Sequence, residues 1–380
     1  MTILLSKPHM SGREMAYVEE AFASNWIAPL GPNVNAFEEE LGKYVDHPHT
    51  LATSSGTAAL HLALLTLGIE RGDVIFCQSL TFVASVNPIL YVRAIPVFID
   101  SEKETWNMSP EALRKALVQA ATKGKLPKAV IVVHLYGVVA KIGEIRQICQ
   151  EFGVALIEDA AESLGATWKG QMTGTIGDIG FYSFNGNKII TTSGGGILLL
   201  GSDSQRQYAL KLATQARENV LHYEHEEVGY NYRLSNVSAG IGRGQLEVIE
   251  QRVRARRNVF RRYEQMFSSI DVTYQQEIPF SRANRWLTAM QVGRDIASRD
   301  QLIQQLSDAG IESRPVWKPM HLQPLYRDAE YVMVDGEDVS RHLFENGICL
   351  PSSSSLTIGE QQKVIQAVLD TRHFVKEKSV

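Results

Sequence analysis

The chain has 380 residues, of which 44% are hydrophobic and 21% charged, enough for one large domain or two that share an interface. Its formal net charge of −4 leaves no basic excess to neutralise phosphates, which argues against nucleic acid as a partner. Cys77, Cys149 and Cys349 are isolated, odd in number and without CxxC spacing, so they indicate a reducing compartment and neither a disulfide framework nor a zinc site. The opening MTILLSKPHM is too short and polar for a signal peptide. The longest apolar stretches, ALHLALLTLGI and GGGILLLG, fall short of the roughly 18 residues that a bilayer span needs. A cytoplasmic protein without membrane attachment or metal is expected.

SGREMAYVEEAFASN and NVNAFEEELGKYV are amphipathic helices, with Ser11 and either Asn33 or Asn35 as N-caps. TAALHLALLTLG is an apolar helix that Gly68 closes. VIFC (74–77), IPVFID (95–100), AVIVVHLYG (129–137) and VALIEDAAE (154–162) are short strands rich in branched residues, separated by helices such as SPEALRKALVQAA and IGEIRQICQEFG. Apolar strands without alternation, spaced by helices, predict a mostly parallel sheet covered on both faces. The stretch 235–267 reads as one long arginine-rich helix. It links a large domain, 1–245, to a small C-terminal one within 246–380.

Ligands of such sheets bind at the carboxyl ends of the strands. TFVAS, HLYG, EDAAES and YSFNGNK all follow predicted strands, so they should converge. Gly56 and Thr57 in TSSGTAAL open the apolar helix, where free amides and the helix dipole suit a phosphate; a plain Ser/Thr cap is the other reading. Glu158 and Asp159 end a strand, so at least one carboxylate lies at the sheet edge and requires a cationic partner. Asp159 could instead cap a helix over AAESLGA. In SFNGNKIITTSGGG, Ser183 precedes Lys188, and the glycines 194–196 admit close backbone approach. A lysine in such a turn is ordinarily solvated. Together, however, a phosphate cradle, a strand-end Asp, a Ser and a Lys beside glycines are what a pyridoxal phosphate site requires.

The ordered set SSGTAALHLAL, TFVAS, PVFID, HLYG, IEDAAESLGA, GDIGFYSFNGNKIITTSGGG, GYNYRLSN and RPVWKPMH resembles the DegT/DnrJ/EryC1/StrS sugar aminotransferases across residues 5 to 355. The resemblance implies an α/β enzyme of pyridoxal phosphate fold type I, aspartate-aminotransferase-like, working as a homodimer with shared active sites. It implies Lys188 as the Schiff-base lysine and Asp159 as partner of the pyridine nitrogen. Gly56, Thr57 and Ser183 match the phosphate-binding positions, and Asn231 matches an asparagine that reaches the phosphate from the other subunit. Phe82 matches the aromatic that stacks on the ring. Glu162 stands where Gln is commoner, near the ring hydroxyl.

SNWIAPLGPNVNAFE, ATQARENVLHYEHEEVGYNYRLSN, SRANRWL and GICLPSSS are similar to the bacillosamine-type branch of that family. That branch uses L-glutamate to aminate UDP-2-acetamido-2,6-dideoxy-4-keto-glucose at C4, with pyridoxamine phosphate as the intermediate form of the cofactor. Trp26, Arg217, Trp317 and His321 are the candidates for contacting the sugar nucleotide, with Arg233, Arg314 and Lys318 as further cations. The alternative is a GDP-4-keto-6-deoxymannose 4-aminotransferase, a perosamine synthase. A sugar dehydratase of the same fold would carry His in place of Lys188.

Overall fold

The computed structural model describes residues 2–334 and 336–377, with side chains as far as residue 371. Helices α1 (Glu14–Ala23) and α2 (Pro32–Val45) come first. Neither uses its predicted cap residue. Arg13 stands at the cap position of α1, while the amides of Ser11 and Gly12 donate to the Glu14 carboxylate at 2.7 and 2.9 Å. At the start of α2 the cap is borrowed: Oδ1 of Asn236, from a later helix, accepts the Asn33 N–H at 2.8 Å.

β1 (Thr50–Thr53) leads into α3 (Gly56–Thr66), which is apolar all round and accordingly buried. Gly68, at φ +66°, turns the chain out of it. β2 (Val74–Gln78), α4 (Asn87–Tyr91), β3 (Ile95–Ile99), α5 (Pro110–Thr122), β4 (Ala129–Val133), α6 (Ile142–Phe152) and β5 (Ala155–Asp159) follow. The short β6 (Thr167–Trp168) and β7 (Gln171–Met172) precede β8 (Ile179–Ser183), β9 (Gly196–Leu199) and α7 (Asp203–Ala213). Next come α8 (Asn236–Leu246), α9 (Ile249–Met266), β10 (Val272–Tyr274), β11 (Ser281–Arg282) and β12 (Thr288–Val292). The chain ends with α10 (Arg299–Asp308), β13 (Arg314–Pro315), β14 (Glu330–Val332), α11 (Val339–Asn346), β15 (Gly347–Leu350) and α12 (Ile358–Glu377).

The main sheet has the order β1-β9-β8-β5-β4-β2-β3-β14. All its pairings are parallel except those of β9, which runs against both β1 and β8. Both faces are apolar, as strands without alternation require. Ile75, Cys77, Ile131 and Ile157 meet α3 and α7 on one side. Phe76, Val130, Val132 and Leu156 meet α5 and α6 on the other.

The second sheet, β10-β12-β15-β13, is antiparallel and shares a core with α9, α10 and α12. The segment after residue 245 nevertheless returns one strand, β14, to the edge of the main sheet beside β3. The single long helix expected over 235–267 is two helices broken at Glu247 and Val248. The physical reason lies in the glycines of α8. A Cβ on Gly242 would stand 2.8 Å from the Phe37 ring and one on Gly244 2.8 Å from the Glu14 amide, so α8 is drawn against α1 and α2. α9 must turn away to cover the second sheet. Among the described residues no helix is long and apolar enough to cross a membrane.

Candidate active site

Strand alternation sends the two carboxylates at the end of β5 to opposite sides. Glu158 is tied to the scaffold. One oxygen meets His134 Nε2 and the Gly174 N–H, both at 2.9 Å, and the other accepts the amides of Ile176 and Gly177 at 2.6 and 2.5 Å. Asp159 faces a cavity instead. Its Oδ2 accepts the Ser85 hydroxyl at 2.6 Å and its Oδ1 the Ala161 amide at 3.0 Å. Thr81 lies behind Ser85, hydroxyl to hydroxyl at 2.7 Å. The helix expected over AAESLGA is a series of turns, so Asp159 is not a helix cap. Burial pushes its carboxyl above the ordinary range, against the pull of those two hydrogen bonds and of the Lys188 charge.

Lys188 enters the same cavity from the turn after β8, with its amide donating to Asn185 O at 3.0 Å. Its Nζ lies 3.6 Å from Glu162 Oε1 and 4.2 Å above the Trp286 ring. It is not a solvated turn lysine, since its side chain is only 11% exposed. The other oxygen of Glu162 accepts the Tyr136 N–H at 2.6 Å. That amide is aimed by a left-handed Tyr136, φ +54°, followed by Gly137 at +87°, an arrangement that costs about 1–3 kcal/mol and gives HLYG its purpose. Burial pushes Glu162 up to about 7, opposed by the Lys188 charge and the Tyr136 amide.

At the far end, Ser55 Oγ accepts the Ala58 amide at 3.0 Å. Helix geometry leaves the Gly56 and Thr57 amides without intrahelical acceptors, and both residues line the cavity. The cap and the anion site are therefore compatible. Ser183 lies opposite; a Cβ on Gly56 would come within 3.0 Å of its Cβ. Gly196 backs this corner, since a Cβ there would meet the Gly56 nitrogen at 2.6 Å.

Phe82 is 51% exposed at the cavity mouth and is no core residue; its ring centroid is 5.3 Å from that of Trp317, which also lines the cavity. Several other candidates stand elsewhere in the protomer. His321 does not line the cavity: its Nδ1 meets Ser79 Oγ at 2.7 Å, its Nε2 meets Asp338 at 3.2 Å, and its ring stacks on Tyr331. Arg233 is a buried brace, 2.5 Å from Glu38. Arg314 pairs with Glu312 at 2.9 Å, and Lys318 lies with it along a neighbouring groove. Trp26 and Arg217 are exposed and outside the cavity, Arg217 lying over the Tyr223 ring at 4.4 Å. Asn231 is likewise exposed and away from its own protomer's cavity.

Sequence reasoning gave no role to Trp286, Tyr136, Ser85 or Thr81. All four sit in quoted motifs, SRANRWL, HLYG and TFVAS, but nothing local in the sequence couples Trp286 to a lysine so far back in the chain.

A shielded amine, a buried carboxylate free of any basic side chain's hydrogen bond, a flanking aromatic and a cradle of helix-start amides with a hydroxyl fit a phosphorylated pyridine aldehyde. Lysine attaches to the aldehyde, carboxylate meets the ring nitrogen, and amides meet the phosphate. Fold and site together define a pyridoxal phosphate-dependent aminotransferase of fold type I. The profile of the DegT/DnrJ/EryC1/StrS aminotransferase family matches residues 8–369, and the chain belongs to that family of sugar aminotransferases. EpsN of Bacillus subtilis (strain 168), provisionally described as a pyridoxal phosphate-dependent aminotransferase, is 53% identical over 99% of this chain and 97% of its own length. GDP-perosamine synthase of Caulobacter vibrioides is 35% identical over 96% of this chain and 97% of its own. Among solved structures, a DegT DnrJ EryC1 StrS aminotransferase from Brucella abortus superposes with a TM-score of 0.88 at 30% identity, covering 94% of this chain and 95% of that one. Spr1654 from Streptococcus pneumoniae, provisionally described as a sugar aminotransferase, has been solved in PLP and PMP forms; at 26% identity these give TM-scores of 0.88 and 0.89, covering 99% and 100% of this chain and all of that one.

Proposed function

We propose that the enzyme transfers the amino group of L-glutamate to C4 of a nucleotide-linked 4-keto-6-deoxy sugar. The acceptor is UDP-2-acetamido-2,6-dideoxy-4-keto-glucose and the product UDP-2-acetamido-4-amino-2,4,6-trideoxy-glucose, a step of bacillosamine-type glycan synthesis. The observation that carries the reading is the meeting of Lys188, Glu162 and Asp159 in one cavity floored by α3.

Pyridoxal phosphate, when bound, supplies an electron sink that lets an amino group leave one carbon and join another. The residues divide the remaining work. Gly56, Thr57 and Ser183 hold the phosphate, Asp159 keeps the ring nitrogen protonated, and Phe82 covers the ring. The Lys188 amine carries the proton to and from the substrate carbon. Glu162, neutral or charged near neutrality, answers the ring hydroxyl. Trp317 forms the wall where the sugar enters. Asn231, and with it Arg217 and Trp26, serve the site across a homodimer in the cytoplasm.

A second reading, a GDP-linked acceptor, is favoured by the GDP-perosamine synthases among the relatives. Offering UDP- and GDP-linked 4-keto-6-deoxy sugars with glutamate, and identifying the product by mass and NMR, separates the two. For the chemistry itself, the purified protein is expected to be yellow and to bleach with glutamate. Lys188→Ala is expected to lose the covalent cofactor and at least about 100-fold in rate. A Lys188→Ala protein that aminates its sugar at the wild-type rate would sink the reading.

A further inference from the structure

The peptide group that launches Lys188 is held on every side. Its carbonyl, on Asn187, accepts two hydrogen bonds: the Ser6 hydroxyl at 2.6 Å and Trp286 Nε1–H at 2.7 Å. Both lone pairs are thereby used. Its N–H donates to Asn185 O at 3.0 Å. A planar group fixed by three bonds leaves the lysine only its own φ and side-chain torsions. Trp286 then acts a second time, since its ring face lies 4.2 Å beneath Lys188 Nζ. One side chain thus holds both the root and the tip of the same lysine.

Trp286 and Ser6 are themselves joined. Arg256, 1% exposed on α9, donates Nη1 to the Trp286 carbonyl at 2.5 Å and to Ser352 O at 3.1 Å, and Nη2 to Ser6 Oγ at 3.1 Å. It pairs with no carboxylate among the described residues, and burial lowers its guanidinium to about 9. A buried cation without a counter-charge is expensive, and an apolar side chain of similar volume would fill the space at less cost. What arginine adds here is a planar fork that fixes two donors relative to each other.

We propose that Trp286, with Ser6 and the Arg256 fork behind them, is a positioning residue that sets the aim of Lys188. The proposal rests on Lys188 being the lysine that takes the cofactor. Misplacement of a reacting group by an ångström costs on the order of 100-fold, and the Asn187 carbonyl is where this enzyme suppresses it. One donor suffices to hold the carbonyl roughly in place; loss of both frees it.

The test uses cofactor-free Ser6→Ala, Trp286→Phe and the double variant, Phe keeping a ring face while losing the N–H. Pyridoxal phosphate is added, and the rate at which its lysine-linked absorbance band appears is followed, together with the pH midpoint of that band in the loaded protein. Each single variant is expected to slow link formation about threefold to fivefold and the double about 100-fold, more than the product of the singles, because both donors serve one carbonyl. The pH midpoint is expected to move in step. Folded single and double variants with wild-type rates and midpoint, whatever their melting temperatures, overturn the proposal. If the double variant does not fold, Arg256→Lys takes its place: it keeps the charge and loses the fork, so the same slowing is expected, and a wild-type rate and midpoint count against the proposal. Borohydride reduction of Lys188→Ala with the cofactor separates the two levels. No covalent label leaves Lys188 as the attachment point, so that a wild-type-like Trp286→Phe/Ser6→Ala protein refutes the positioning alone; a persistent label refutes both.

Discussion

Glu162 is where the chemistry of a single residue departs most from its solution behaviour. Its carboxyl is raised from 4.5 to about 7, by burial first, so the native state binds a proton that the unfolded chain has released above about pH 4.5. The unfolded chain therefore binds fewer protons across that window, and stability falls as pH rises from about 4.5 to about 7. The loss attributable to this group is of the order of 3 kcal/mol. Glu162→Gln removes the titration without changing shape. The melting temperature of cofactor-free Glu162→Gln is expected to fall less than that of the wild type between pH 5 and pH 8. The difference between the two curves is the relevant quantity, because histidines such as His47 and His61, lowered by burial, contribute equally to both. Identical curves would place Glu162 outside the buried, proton-holding role. At this scale the sequence was legible where a residue type is rare for its setting: an Asp ending an apolar strand, a Lys among glycines. It was not legible for His321, whose two nitrogens are both engaged by Ser79 and Asp338. Nor was it for Arg233, whose partner Glu38 lies on a distant helix. Composition shows that a cation is present and says nothing of which anion already holds it.

At the scale of elements, the parallel strands and the apolar α3 were readable because uniformly buried segments write an unbroken apolar run. β1 and β9 were not. TLAT and GILL are short, and their antiparallel pairing, Thr53 with Gly196, is a matter of register that no local pattern carries. That pairing nonetheless builds the corner to which the proposed function assigns the phosphate. Gly196 has no room for a side chain, its Cβ direction ending 2.6 Å from the Gly56 nitrogen and from the Ser55 carbonyl carbon. Gly196→Ala is expected to force β9 and the start of α3 apart, at about 1–3 kcal/mol, and to weaken pyridoxal phosphate binding at least tenfold. Denaturant unfolding of the cofactor-free protein and a fluorescence titration with pyridoxal phosphate check the two halves; unchanged affinity in a destabilised protein would detach the corner from the phosphate. The break between α8 and α9 was equally hidden, because helical periodicity continues through Glu247 and Val248 while the surfaces on either side point to different partners.

At the scale of the molecule, the protomer gathers Lys188, Glu162 and Asp159 in one cavity and leaves outside it Asn231, which the proposed function assigns to a partner's site. Asn231 is exposed, and the neighbouring loop presents Leu221, Tyr223 and Val228 at 101%, 79% and 76% exposure. Apolar groups so exposed in one stretch mark an interaction surface, and a second copy of the chain is the occupant that the proposed function requires. Asn231→Ala is expected to weaken pyridoxal phosphate binding roughly tenfold, the cost of about one hydrogen bond to a charged group, while leaving the melting temperature of the cofactor-free protein within about 2 °C of wild type. Sedimentation at several concentrations is expected to show a dimer. A monomer that binds the cofactor at full affinity would show that the protomer's own cavity is complete.

The antiparallel strand β9 also decides when that cavity can exist. It stands between β1 and β8, so β1, made early, has no place in the sheet until residue 196 has been added and threaded into line. A chain still growing through residue 183 can assemble β2 to β5 by local crossovers, whereas β1 and α3 wait for a contact of high sequence separation, which is slow to form. The phosphate corner is thus among the last parts of the large sheet to close. Cofactor capture, visible as colour, is expected to report the closing of that corner as well as the readiness for catalysis.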